Sequence, residues 1–304
     1  MRRLILFIRL GRPQFLAGGF VLFGLGAALA AAGGAPLDRW RYVWGQVVVT
    51  LTQLMTHYAN DYFDLEADRA NLTPTRWSGG SRVLPGGALA PIVALRAACT
   101  LLVAALLATL VLARRAGFGP GALAGLMIAL AWEYSAPPGR FCARGLGEVA
   151  TALVVTLLVP MFGFLLQARA LAPPLFLAAA LPCALQFAML LAIEFPDAAG
   201  DAAVGKRTLV VRLGPLPAAR LYATLTLAAF GLLPIWALAG LPPRVALAPL
   251  ILAPIAIWQA VRVARGGYGD SARWGSIAFW SVALLIASAS LELAATALGA
   301  GQGG

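Results

Sequence analysis

Residues 172–201 read APPLFLAAALPCALQFAMLLAIEFPDAAGD. Positions 172–193 carry no charge. As a helix they would extend about 33 Å, enough to cross the hydrocarbon core of a bilayer. A helix of that length on a soluble globule would show a polar face, and this one does not. The charge arrives at the end, where Glu194, Asp197 and Asp201 fall within eight positions. The stretch therefore reads as a membrane span capped by acids.

Eight further apolar runs of similar length flank it, at 14–33, 41–60, 90–113, 118–136, 146–167, 216–240, 244–263 and 274–299. Lipid offers the backbone no hydrogen-bond partner, so each run is predicted to be a helix. The alternating ten-residue segments of a membrane β-barrel are missing. The expected fold is an all-α polytopic membrane protein, a single domain over 1–304 with about nine transmembrane helices. Composition agrees: the chain is 61% hydrophobic and 12% charged, which excludes both a soluble globule and a disordered chain. Cys99, Cys142 and Cys183 lie too far apart for a disulfide framework or a zinc pattern. The first run imitates a secretory signal, with Met1-Arg2-Arg3 before it and Ala28-Leu29-Ala30 inside it. Arg9 and Arg12 interrupt that pattern and eight spans follow, so the run is expected to stay as the first helix.

The formal charge is +11. On a soluble chain this would raise nucleic acid as a partner; here the basic residues flank apolar runs, so none is expected and the partner is the bilayer. With nine spans and the N-terminus inside, 17 of the 23 Lys and Arg residues fall on the inner side and six outside. The positive-inside rule expects that asymmetry for an N-in, C-out protein of the cytoplasmic (inner) membrane.

The acids are more informative. Asp61, Asp64, Glu66 and Asp68 follow the second span, and Glu194, Asp197 and Asp201 follow the sixth, both on the inner side. At 100° per residue Asn60, Asp64 and Asp68 share one helical face, Gln53 and His57 extend that stripe inward, and Glu66 points away. Asp197 and Asp201 are likewise one turn apart. Carboxylates so spaced repel by about 3 kcal/mol at an effective dielectric near 20. Protonation, arginine partners or a bound cation must offset that. Oxygen-rich ligation suits a hard ion such as Mg²⁺ shared with a phosphate, and Arg76, Arg82, Lys206 and Arg207 beside the clusters suit a phosphate co-ligand. The other reading is a pair of solvated mixed-charge loops.

These residues carry a resemblance. Asn60-Asp61-Tyr62-Phe63-Asp64-Leu65-Glu66-Ala67-Asp68 resembles the NxxxDxxxD motif of the UbiA superfamily of intramembrane prenyltransferases, and Asp197-Ala198-Ala199-Gly200-Asp201 its DxxxD motif. The stretch 205–214, GKRTLVVRLG, is similar to that of the menaquinone-branch 1,4-dihydroxy-2-naphthoate polyprenyltransferases, as are 79–84 and 145–148. Glu194-Phe195-Pro196 departs from the Asn-rich sequence usual there. The resemblance implies helices around a central cavity open to lipid. In it Asn60, Asp64, Asp68, Asp197 and Asp201 serve catalysis, and the four aspartates hold Mg²⁺ against a polyprenyl diphosphate. Arg76, Arg82, Lys206 and Arg207 would bind the diphosphate. The partners implied are that diphosphate and an aromatic acceptor.

Candidate acceptor contacts are His57, Tyr134, Arg140 and Glu194. His57 equally suits a hydrogen bond between helices, and Arg140 topological anchoring. Prenyl transfer to 1,4-dihydroxy-2-naphthoate is the expected activity. Alternatives are the same chemistry on 4-hydroxybenzoate, homogentisate, heme, chlorophyllide or a glycerol phosphate, or an ion-coupled transporter.

Overall fold

The computed structural model describes residues 1–300, and among them secondary structure is helical throughout. The helices are α1 (Arg2–Leu10), α2 (Leu16–Ala32), α3 (Arg39–Phe63), α4 (Leu65–Ala70), α5 (Pro91–Ala116) and α6 (Phe118–Glu133). After them come α7 (Gly147–Thr151), α8 (Val159–Gln167), α9 (Pro173–Glu194), α10 (Ala198–Ala203), α11 (Leu209–Leu213) and α12 (Pro215–Gly231). The chain ends with α13 (Leu233–Leu238), α14 (Pro243–Leu247), α15 (Ala253–Ala264) and α16 (Ser271–Ala300).

Seven helical stretches are long and apolar enough to cross a membrane: Pro13–Ala32, Pro91–Ala116, Gly147–Gln167, Pro173–Glu194, Pro215–Leu238, Pro243–Ala264 and Ser271–Gly299. The other two expected spans are also helical, but each is unusual. The 25 residues of α3 include the polar Gln46, Gln53, His57 and Asn60, and α6 has only 16 residues. Several spans are interrupted. Pro234 follows the break between α12 and α13, Pro249 lies in the 3₁₀ turn between α14 and α15 and Pro254 follows it, because proline supplies no N–H to continue a helix. A π-helical segment, Ala152–Leu158, joins α7 to α8.

The bundle is held by close backbone contact. A Cβ on Gly26 would overlap the Pro160 carbonyl, and one on Gly163 would overlap that of Phe23, so α2 and α8 approach as only glycine allows. Leu22, Phe23, Val48, Leu112, Phe162 and Leu166 form a fully buried core where α2, α3, α5 and α8 meet. At one end of the bundle the start of α3 meets the ends of α5 and α8: Arg41 donates to the carbonyls of Leu166 and Arg115, and the Asp38 amide donates to Gln167. Both acid clusters lie at the opposite end.

Candidate active site

At that end α3 stops at Phe63, and Asp64 forms the junction with α4. The expected single helix is thus broken, yet its register survives. The Asp64 amide donates to the Asn60 carbonyl and the Asp68 amide to the Asp64 carbonyl, each at 2.9 Å. Asn60, Asp64 and Asp68 therefore still follow one another at one-turn spacing, and Asn60 Nδ2 donates to Asp64 Oδ2 at 2.8 Å. Glu66 is exposed, as its position on the helix predicts. On the other wall Phe195 and Pro196 turn the chain between α9 and α10, and the Asp201 amide donates to the Asp197 carbonyl at 2.8 Å.

The two walls meet. Lys206 Nζ lies 2.9 Å from Asp64 Oδ2 and 3.4 Å from Asp201 Oδ1, so one ammonium spans both motifs. Asn71 Nδ2 donates to Asp197 Oδ1 at 2.6 Å, and the Gly79 amide donates to Asp197 Oδ2 at 3.1 Å. Gly79 and Gly80 both have φ near +70°, a conformation that favours glycine, and a Cβ on Gly80 would overlap the Asp68 carboxylate. This turn thereby packs the 72–89 loop directly on the acids.

Crowding and burial set the electrostatics. Burial, with neighbouring acids adding to it, pushes the Asp68 carboxyl up to about 8, Asp197 to about 7 and Asp201 to about 6. Burial works to lower Lys206, but Asp64 and Asp201 outweigh it and hold the ammonium well above its ordinary value. Asp68 Oδ2 is buried with no hydrogen-bond donor. Among the described residues no three carboxylates converge into a ready-made metal cage. The donor set is nonetheless all oxygen, has an unsatisfied member, and retains protons that a cation would displace. That chemistry fits a hard divalent ion held by Asp64, Asp68, Asp197 and Asp201.

Other expected residues are distributed unevenly. Arg82 donates to the Asp68 carbonyl, and Arg76 and Arg82 line a basic pocket of about 300 Å³ together with Arg9 and Arg12. Arg140 and Arg207 are exposed and line neither this pocket nor the larger cavity, because the turns that carry them face outward. Glu194 is buried, but its carboxylate faces Glu148 rather than a cavity. His57 and Tyr134 both line a cavity of about 220 Å³ that runs from Arg12 and Asn60 down to Leu22, Val49 and Val159.

Four residues outside the expected set belong here. Arg12 pairs with Asp61 and donates to Asn60 Oδ1 at 3.3 Å; Asp61 also accepts from the Ser81 amide and hydroxyl. Cys142 Sγ lies 3.7 Å from Asp64 Oδ1. Arg12 was visible in the sequence as a charge between apolar runs. Its partner was not.

Comparison with known proteins places this bundle in a family. Residues 20–295 match the model of the UbiA prenyltransferase family. This chain belongs to that family. It is 30% identical over 260 residues to the 1,4-dihydroxy-2-naphthoate octaprenyltransferase of Escherichia coli K12, covering 84% of this chain and 83% of that protein. The UbiA fold is shared with a digeranylgeranylglyceryl phosphate synthase (TM-score 0.66, 17% identity, 99% of each chain). It is shared too with a UbiA homologue from Archaeoglobus fulgidus bound to DMAPP and Mg²⁺ (TM-score 0.62, 17% identity, 93% of this chain and 98% of that one). A UbiA homologue from Aeropyrum pernix K1 gives a TM-score of 0.64 at 18% identity, over 88% and 97% of the two chains. As a UbiA-family member the protein is a membrane-embedded prenyltransferase.

Proposed function

We propose that the protein transfers a polyprenyl group from a polyprenyl diphosphate to 1,4-dihydroxy-2-naphthoate in a Mg²⁺-dependent reaction. The reading includes nine spans, N-in and C-out, in the cytoplasmic membrane with the acid-lined mouth on the inner side. One observation carries it: the Lys206 ammonium bridges Asp64 of one motif and Asp201 of the other, so both motifs address a single small charged volume. The naphthoate octaprenyltransferase relative supports this acceptor, and the Mg²⁺-bound homologue supports this metal.

The chemistry is one of charge. The C1–O bond of the prenyl diphosphate breaks with its electron pair going to the diphosphate. The allylic carbon is then attacked by the electron-rich ring carbon that bears the carboxylate, and that C–C bond breaks, releasing carbon dioxide and returning its electron pair to restore the aromatic ring. Mg²⁺, when bound, supplies Lewis-acid stabilisation of the leaving oxygens. Asp64, Asp68, Asp197 and Asp201 would hold it. Lys206, Arg12, Arg76 and Arg82 add fixed positive charge that needs no reorganisation as the leaving group forms. The apolar part of the cavity, lined by Leu22, Val49, Val154 and Val159, accepts the isoprenoid chain and excludes water that would otherwise capture the cation. His57 and Tyr134, on the cavity wall, are the expected residues best placed to meet the acceptor.

The test is purified protein with Mg²⁺, geranylgeranyl or longer diphosphate and 1,4-dihydroxy-2-naphthoate. Pyrophosphate release and a decarboxylated, prenylated ring are expected, and EDTA should stop both. Asp64→Ala and Asp197→Ala should each abolish turnover while the protein remains folded. Full activity in both variants would overturn the metal assignment. Prenylation of a different member of an acceptor panel, read by mass spectrometry, would overturn the acceptor.

A further inference from the structure

The cavity below the acid-lined mouth is not uniformly apolar. Gln53 on α3 and Gln186 on α9 both line it. Gln53 Oε1 is buried with no hydrogen-bond donor. Gln186 is only 5% exposed and lines the same cavity. The nearby hydroxyls do not serve them: Thr52 and Thr56 donate to carbonyls of their own helix, Val48 and Thr52, each at 2.8 Å. An amide oxygen left without a donor in an apolar, membrane-embedded chamber is costly, so Gln53 has no structural justification as it stands. Space is reserved for it as well. A Cβ on Gly19 would overlap the Gln53 carboxamide, so glycine on α2 makes room for that side chain.

We propose that Gln53 and Gln186 form a polar station inside the cavity that binds the hydroxyl groups of the aromatic acceptor. The inference rests on the prenyltransferase reading above. Gln53 lies seven residues before Asn60 on α3, about 10 Å deeper than the acid-lined mouth. An isoprenoid tail lying against Gln53 would leave its oxygen without a donor, whereas a dihydroxyarene offers both amides hydroxyl groups that donate and accept. His57 lies between Gln53 and Asn60 on the same wall, its ring 5.8 Å from that of Phe15, which gives the acceptor ring aromatic surface on the way in.

Gln53→Met and Gln186→Met keep side-chain length and remove the amide. Each is expected to raise the KM for 1,4-dihydroxy-2-naphthoate about tenfold, the effect of one lost hydrogen bond to a buried group. The KM for the diphosphate should stay unchanged, and the Tm of Gln53→Met should be unchanged or higher, because an unpaired amide oxygen has gone. A purely structural role predicts a lower Tm and equal effects on both substrates. With 1-hydroxy-2-naphthoate, which lacks one hydroxyl, at least one Met variant should bind as well as the unmodified protein. Equilibrium dialysis of both naphthoates, in the presence of the diphosphate, reads binding without turnover. An acceptor KM and affinity unchanged in both variants would overturn the station, water filling it instead. Failure of the unmodified protein to prenylate any hydroxyarene, with naphthoate binding still lost in the variants, would instead overturn the functional reading alone.

Discussion

Gly200 lies so close to Asn71 that a Cβ on it would sit 2.9 Å from the Asn71 amide nitrogen. Backbone cannot yield there as a flexible side chain would, so this contact sets how near α10 comes to α4. Asn71 then donates to Asp197 at 2.6 Å, which ties the same contact to the second motif.

Gly200→Ala should therefore push the two acid walls apart. We expect kcat/KM to fall by roughly tenfold to a hundredfold, the cost of displacing reactive groups by a fraction of an ångström to an ångström. Gly275→Ala, whose Cβ would meet nothing, is the control and should leave activity unchanged. Equal activity in the two variants would show that the spacing does not matter.

Lys206 neutralises two buried carboxylates. Lys206→Met should lower stability of the metal-free protein by about 3 kcal/mol, the cost of leaving buried charge without its partner. Thermal unfolding in EDTA should show the loss, and added Mg²⁺ should recover part of it. The same variant should have a raised KM for the diphosphate. A Tm insensitive to the substitution would mean that the carboxylates are satisfied some other way.

The raised carboxyls predict a pH dependence. Asp201 at about 6, Asp197 at about 7 and Asp68 at about 8 all lie above the ordinary 3.8, so the folded state binds protons more tightly than the unfolded one. Their contribution to stability is complete below pH 4 and is lost as pH rises through 6 to 8. In EDTA the Tm should fall across that window. Mg²⁺ should raise the Tm more at pH 8 than at pH 6, because bound metal must displace those protons. Titration of Mg²⁺ against Tm at the two pH values checks the sign.

Arg12 and Asp61 form a second buried pair, with the Asp61 side chain 1% exposed. Arg12→Met should destabilise by about 3 kcal/mol, and Asp61→Asn in that background should restore much of it by removing the stranded charge. A double-mutant cycle on chemical unfolding measures the coupling. Additive effects would mean that the pair is not coupled.

Much of the fold was legible because helical periodicity and span length are local properties. The run at 172–193 and its trailing acids needed only a count of residues, and the one-turn spacing of Asn60, Asp64 and Asp68 persisted although Asp64 breaks the helix. Local reasoning does not reach the point where a side chain has a choice of neighbours. Glu194 sits one turn before Asp197, yet the end of α9 turns its carboxylate toward Glu148. Arg140 and Arg207 stand close in sequence to residues of the acid-lined mouth and are themselves exposed. Proline-rich interruptions of the later spans were present in the sequence, but hydropathy averaged over a window does not register them.

By itself the amino-acid sequence determined that the chain lives in a bilayer as helices and that two groups of acids sit at span ends, since hydrophobicity and spacing act over a few turns. Only tertiary packing decided that Lys206 joins Asp64 to Asp201 across 142 residues of chain, that Arg12 answers Asp61, and that Gln53 and Gln186 share one chamber. Ion pairs and unpaired amides are fixed by distances of a few ångströms between remote segments, and those distances exist only once glycines such as Gly26, Gly163 and Gly200 have let the backbones close up.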